Sequence, residues 1–214
     1  MHRDWALAGA AGPALAGAFL PPALLPALLA VLLSVLLAGC SPKVAKPDPA
    51  DLTSARQSAL LLEIAIRTQL LDRLERDEEP AAVYTAYRDT VRTLTSDIAG
   101  KAGVDLKRVS ARVRNPANAA DDWERKQLTV FQYWLDAGLD EHTLEVSEIV
   151  TEGKVKYFRW MRPITVGETC ITCHGDAIEA KLLTLLVHDY PDDEATGYFE
   201  GELAGAYSVK KQIN

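Results

Sequence analysis

The chain has 214 residues, 48% of them hydrophobic and 25% charged, with a formal net charge of −7. A net acidic chain excludes nucleic acid as a partner, because phosphate recognition needs clustered Lys and Arg. Once an apolar amino terminus is set aside, about 175 residues remain, enough for one compact domain with its own core.

Residues 5–42 carry no charge and consist mostly of Ala, Leu, Pro and Gly. Behind the weakly positive His2 and Arg3, Ala23 to Ala38 form an apolar run closed by Leu37-Ala38-Gly39-Cys40. This pattern reads as an export signal over residues 1–39, to be kept out of fold reasoning. Its ending resembles a bacterial lipobox, in which Cys40 becomes the lipid-bearing first residue. Phe19 to Ala38 is also long enough for a membrane anchor, which needs about 20 residues, although Pro21, Pro22 and Pro26 interrupt its first half. Both readings tether the body outside the cytoplasm, facing the periplasm. Ser41 after Cys40 resembles the sorting rule for the outer membrane of the bacterial envelope.

Residues 40–50 form a Pro-rich tether, and residues 51–214 are read as the domain. Asp51 or Thr53 can cap a first helix running to about Asp77, with Leu60, Ile64, Leu71 and Leu74 at helical spacing. Pro80 suits the first turn of a second helix, about 81–99, with Val83, Tyr87, Val91, Leu94 and Ile98 on one stripe and Gly100 and Gly103 ending it. Leu106 to Arg114 alternates, which predicts a strand with one wet face. Arg114-Asn115-Pro116-Ala117-Asn118 reads as a turn, and Asn118 or Asp121 can cap a third helix, about 120–137.

From Thr143 the period becomes two. Leu144 to Ile149 and Val155 to Ile164 predict a hairpin across Glu152-Gly153-Lys154. Ala177 to Val187 is apolar and its first part is read as helical. Tyr190 to Glu202 is a polar loop, and Leu203 to Lys210 is a final strand. Helices followed by an antiparallel sheet is an α+β order.

The chemistry sits between the last strands, in Cys170-Ile171-Thr172-Cys173-His174-Gly175. Two thiols three positions apart and an adjacent histidine form the pattern for covalent attachment of one c-type haem. Each sulfur can take one vinyl group as a thioether, and the imidazole then lies under the iron. Cys170 and Cys173 are the anchors in this reading, and His174 is the proximal ligand. The alternatives are a Cys170–Cys173 disulfide, which lacks a thioredoxin-like setting, and a zinc site, which lacks paired further donors. Of three cysteines, one serves lipid and two serve haem, leaving none for a structural disulfide. Arg159 and Arg162 are candidates for the haem propionates, because a guanidinium pairs a carboxylate in a two-point fork. Arg114 and Asn115 are expected to fix the turn and the loop over the haem edge. Phe158 and Trp160 are expected to pack, one in the sheet core and the other near the porphyrin.

Four stretches carry a resemblance: Val109 to Asn118 with Trp123-Glu124; Phe158 to Ile164; Cys170 to Gly175; and Tyr190 to Val209. Together they resemble DUF3365, a bacterial family of c-type haem-binding domains. The resemblance implies a PAS-like fold, with a five-stranded antiparallel sheet flanked by helices and one covalent haem c. In that family a cysteine on the second helix can be the distal ligand. Here the position falls near Tyr87, and this helix has no cysteine. Tyr87 is therefore the distal candidate, with Tyr84, His142, His188 and Met161 as rivals and an open or water-bound position as the alternative. The leading expectation is a membrane-tethered mono-haem cytochrome c that transfers electrons to a periplasmic redox partner or acts as a redox or ligand sensor. A peroxidase-like haem enzyme with an open distal site and a haem-free binding lipoprotein are the other readings.

Overall fold

A computed structural model describes residues 45–213, except Asp77 and the side chain of Asp89. The export signal, Cys40 and the first residues of the tether lie outside the described residues. Among the described residues, no helix is long and apolar enough to cross a membrane.

The first helix, α1, spans Pro49–Ile66 and is capped by Asp48, whose side chain accepts from the Ala50 amide. It therefore begins just before the predicted cap. A π-helical stretch, Arg67–Leu71, and a short turn, Asp72–Leu74, prolong it. The helix buries Ala55, Ser58, Ala59 and Leu62, while Leu60 and Ile64 are half exposed. The Leu/Ile pattern pointed to the wrong face, because small alanines let the backbone lie close against the sheet. The second helix, α2, spans Pro80–Ala102 and ends at Gly103, which takes the left-handed conformation with φ 65°. Only glycine adopts this without steric cost.

Strand β1 is Asp105–Val109, shorter than the alternating stretch suggested. It stops because the Ser110 hydroxyl takes over ladder bonding, donating to the Ala204 carbonyl and accepting from the Arg112 amide. Helix α3, Asp122–Asp136, starts with a capping box in which Asp121 and Glu124 bond each other's amides. Strands β2, Val146–Glu152, and β3, Val155–Thr165, pair as a hairpin across Gly153, φ 62°. A four-residue helix, α4 (Ile171–His174), and a longer one, α5 (Ala180–Asp189), follow. Glu179 caps α5, so it is the later part of the apolar stretch that is helical. Strand β4 is Leu203–Ile213.

The four strands form one antiparallel sheet in the order β1-β4-β3-β2. The expected fifth strand is not found among the described residues. Both faces are covered, which corrects the expectation of a wet face on β1. On one face, Phe158, Trp160, Tyr207, Val209 and Leu106 meet Ala55, Ala59 and Leu62 of α1 and Ile98 near the end of α2. On the other, Met161, Ala206 and Val109 meet Leu128 and Phe131 of α3. Phe158 and Trp160 are two residues apart on a strand and so share one face. Both belong to the same core, and each fully buried aromatic contributes about 1.5–3 kcal/mol.

Candidate haem-attachment site

The Cys170–His174 segment lies in the connection between β3 and β4, where the sheet positions it without using it as a strand. Cys170 immediately precedes α4, and Cys173 and His174 form its last turn. Both cysteines are free thiols. Cys173 is buried among Ala81 and Tyr84 of α2 and Leu182 and Leu186 of α5, and burial pushes its thiol up. Gly175 ends α4 at a position where a Cβ would lie 2.4 Å from Ile171 Cγ2 and 2.8 Å from the Ile171 carbonyl oxygen.

The polar loop 190–202 clasps this segment. The Gly197 and Tyr198 amides donate to the Gly175 and His174 carbonyls, each at 2.9 Å. Nδ1 of His174 lies 2.7 Å from the Ala195 carbonyl oxygen. That bond fixes the tautomer, with Nδ1 carrying the proton, and leaves Nε2 without a protein partner among the described residues. Burial first, and the Arg114 charge second, push the imidazole down to about 4. It is therefore neutral at ordinary pH, the form that coordinates a metal. The Tyr198 ring meets the His174 ring edge-on, with centroids 6.3 Å apart, and the Arg112 guanidinium stacks on the far partner, 3.9 Å from the Tyr198 centroid.

Arg114 locks the clasp. It donates to Asp193 at 2.8 Å, to the Cys173 carbonyl at 2.7 Å and to the Ala195 carbonyl at 3.3 Å. Asn115 caps the adjoining turn by accepting from the Ala117 amide. Arg114 thus fixes the segment itself, as its place beside the turn suggested. The contributions of Arg112, Asp193 and Ala195 are carried by long-range contacts that no local spacing reveals.

The other predicted residues are distributed as follows. Tyr87 lies one turn beyond Tyr84 on α2, and its hydroxyl is buried with no hydrogen-bond partner. An orphaned buried hydroxyl is costly, about 1–3 kcal/mol, and calls for a group to satisfy it. The rivals are committed or remote. Tyr84 donates to Asp189 at 2.7 Å. Met161 is buried on the sheet face against α3. His142 and His188 are exposed, with side chains 85% and 84% accessible. Arg162 stacks over Tyr207, 5.4 Å from the ring centroid, and pairs with Glu63. Arg159 faces α3, where Asp121, Glu124 and Glu152 surround its guanidinium at 2.7, 3.1 and 3.4 Å. The structure does not bring Arg159 to the attachment segment.

The donor set fits a covalently held porphyrin: two unbridged thiols on one turn, a neutral imidazole with a fixed tautomer and a free Nε2, and an unpartnered hydroxyl on a neighbouring helix. The Tll0287-like family profile matches residues 50–211. The chain belongs to the Tll0287-like family. This is the DUF3365-type haem-protein family that the motifs resemble. The crystal structure of the cyanobacterial haem-protein Tll0287 is similar in fold, with a TM-score of 0.56 at 23% identity over 78% of this chain and 98% of that one. No curated protein matches the sequence. The similarity to Tll0287 concerns an α+β architecture.

Proposed function

We propose that this Tll0287-like chain is a mono-haem c-type cytochrome of the bacterial envelope that transfers electrons. Cys170 and Cys173 bind the haem as thioethers, His174 Nε2 is the proximal iron ligand and Tyr87 stands on the distal side. The observation that carries this reading is the His174–Ala195 bond beside two free thiols, since it presents the metal-binding nitrogen in one fixed tautomer. The haem supplies one-electron chemistry; the chain sets its potential through ligation, burial and local charge. The Tyr87 hydroxyl favours electron transfer over an open-site enzyme, because it offers a protein group for the second axial position.

The lipobox-like ending at Cys40 supports a lipid anchor, and Ser41 supports the outer membrane, with the domain facing the periplasm. A single haem needs a partner to receive its electron, so a periplasmic redox protein is implied. Redox or ligand sensing through a separate protein would use the same site.

The test is the absorption spectrum of protein matured with haem-attachment machinery, oxidised and reduced, together with haem staining on a denaturing gel. We expect a reduced c-type spectrum, covalent retention of haem and slow or absent carbon monoxide binding. Colourless protein overturns the haem reading, and a rapid carbonyl complex overturns six-coordinate electron transfer.

A further inference from the structure

The arginines around the site differ in what they hold. Arg114 is paired with Asp193, Arg162 with Glu63 and Arg159 with three carboxylates. Arg112 donates to the Glu194 and Thr196 carbonyls. Arg108 has no ion pair or side-chain hydrogen bond among the described residues. It is half-buried on β1, beside Leu106 and Val109 but on the sheet face that looks toward α2. Its guanidinium lies 6.0 Å from the centre of the Tyr87 ring, whose own hydroxyl is unpartnered. Arg108 is also the register partner of Tyr207 on β4.

We infer that Arg108, rather than Arg159 or Arg162, is the cation that receives a carboxylate of the bound group. This rests on the haem reading above, and the carboxylate is then a haem propionate. A half-buried guanidinium without a counter-charge is unfavourable, and one that shares its surroundings with an orphaned hydroxyl marks where a ligand's polar edge belongs. Arg159 cannot serve, because its fork is taken on the opposite face of the sheet. Arg162 would have to give up Glu63.

A positive charge at a propionate favours the reduced, less positive haem, so its removal lowers the potential. The experiment is redox titration of haem-loaded wild type, Arg108→Gln, Arg108→Lys and Lys107→Gln. Lys107 is the neighbouring residue on the other sheet face, paired with Glu124, and controls for a change of net charge. Arg108→Gln is expected to reduce the ratio of reduced to oxidised protein about tenfold at fixed poise, ~59 mV for one electron. Arg108→Lys keeps the charge but loses the fork and is expected to shift the potential about half as far, which carries the test if the Gln variant does not accumulate. Lys107→Gln is expected to leave the potential nearly unchanged. Equal shifts at positions 107 and 108, or an unchanged potential in either Arg108 variant, overturn the assignment while leaving the haem reading intact. Colourless wild-type protein overturns both.

Discussion

Arg114 donates a 2.7 Å hydrogen bond to the carbonyl oxygen of Cys173, 59 residues further along the chain. The same side chain is ion-paired with Asp193, and both partners are nearly buried, at 12% and 10% accessible. Removing one member of such a pair leaves a buried charge uncompensated, which costs about 3–5 kcal/mol. Arg114→Leu is therefore expected to lower stability by about that amount and to reduce haem yield. Urea unfolding and haem content per protein measure the two effects. Stability within about 1 kcal/mol of wild type would show that the clasp does not hold the segment.

Arg159 gives the opposite pattern. Its guanidinium stacks 4.6 Å from the Trp123 ring centroid and is enclosed by carboxylates, including fully buried Glu124. Glu124 also accepts from the Ser208 hydroxyl at 2.6 Å. Arg159→Met should cost about 1–3 kcal/mol, because buried Glu124 loses one of its two cations and keeps Lys107, while the haem spectrum and potential stay as in wild type. A displaced potential with little loss of stability would return Arg159 to the propionates.

Acid titration should report on the α2–α5 contact. The Tyr84 hydroxyl foremost, then His188 and Arg88, hold the Asp189 carboxyl down at about 2. A depressed folded value means stability present above the unfolded carboxylate value, about 3.9, and lost as pH falls toward 2. The urea midpoint of the wild type should fall across that window more steeply than that of Asp189→Asn. Parallel curves for the two proteins would remove Asp189 from the acid response.

Tyr87→Phe removes only the unpartnered hydroxyl. Its buried, unpartnered oxygen costs the folded apoprotein, so stability without haem should rise, by up to about 1–3 kcal/mol. With haem, the ferric spectrum should change and carbon monoxide should bind faster to the reduced form. An identical ferric spectrum would exclude Tyr87 from the iron.

The α+β architecture was largely legible in the residues. Pro80 and Asp121 marked helix starts through capping chemistry that acts within one turn, and the period of two marked the β2–β3 hairpin. The side on which Arg159 lies was not legible. Alternation distinguishes a wet face from a dry one, and β3 has helices over both. The same ambiguity misassigned the buried face of α1, where Ala55 and Ala59 rather than Leu60 and Ile64 meet the sheet. Arg108 escaped notice because an unpaired cation is recognised only once every neighbouring carboxylate has been placed.

Gly205 tests the β1–β4 contact. A Cβ there would lie 2.1 Å from the Val109 carbonyl oxygen, a backbone atom that cannot swing aside. Gly205→Ala must push β1 off β4 and is expected to destabilise by about 2–4 kcal/mol. Thermal unfolding of the apoprotein measures it, and a wild-type midpoint would refute so close an approach.

The depth of Cys173 carries a consequence for biogenesis. Its sulfur is walled in by α2 and α5, and that enclosure also suppresses the reactive thiolate. A ligase working on the finished domain would find one of its two targets shut away. On the proposed covalent attachment, the bond to Cys173 is therefore expected to form before α2 and α5 pack around that sulfur.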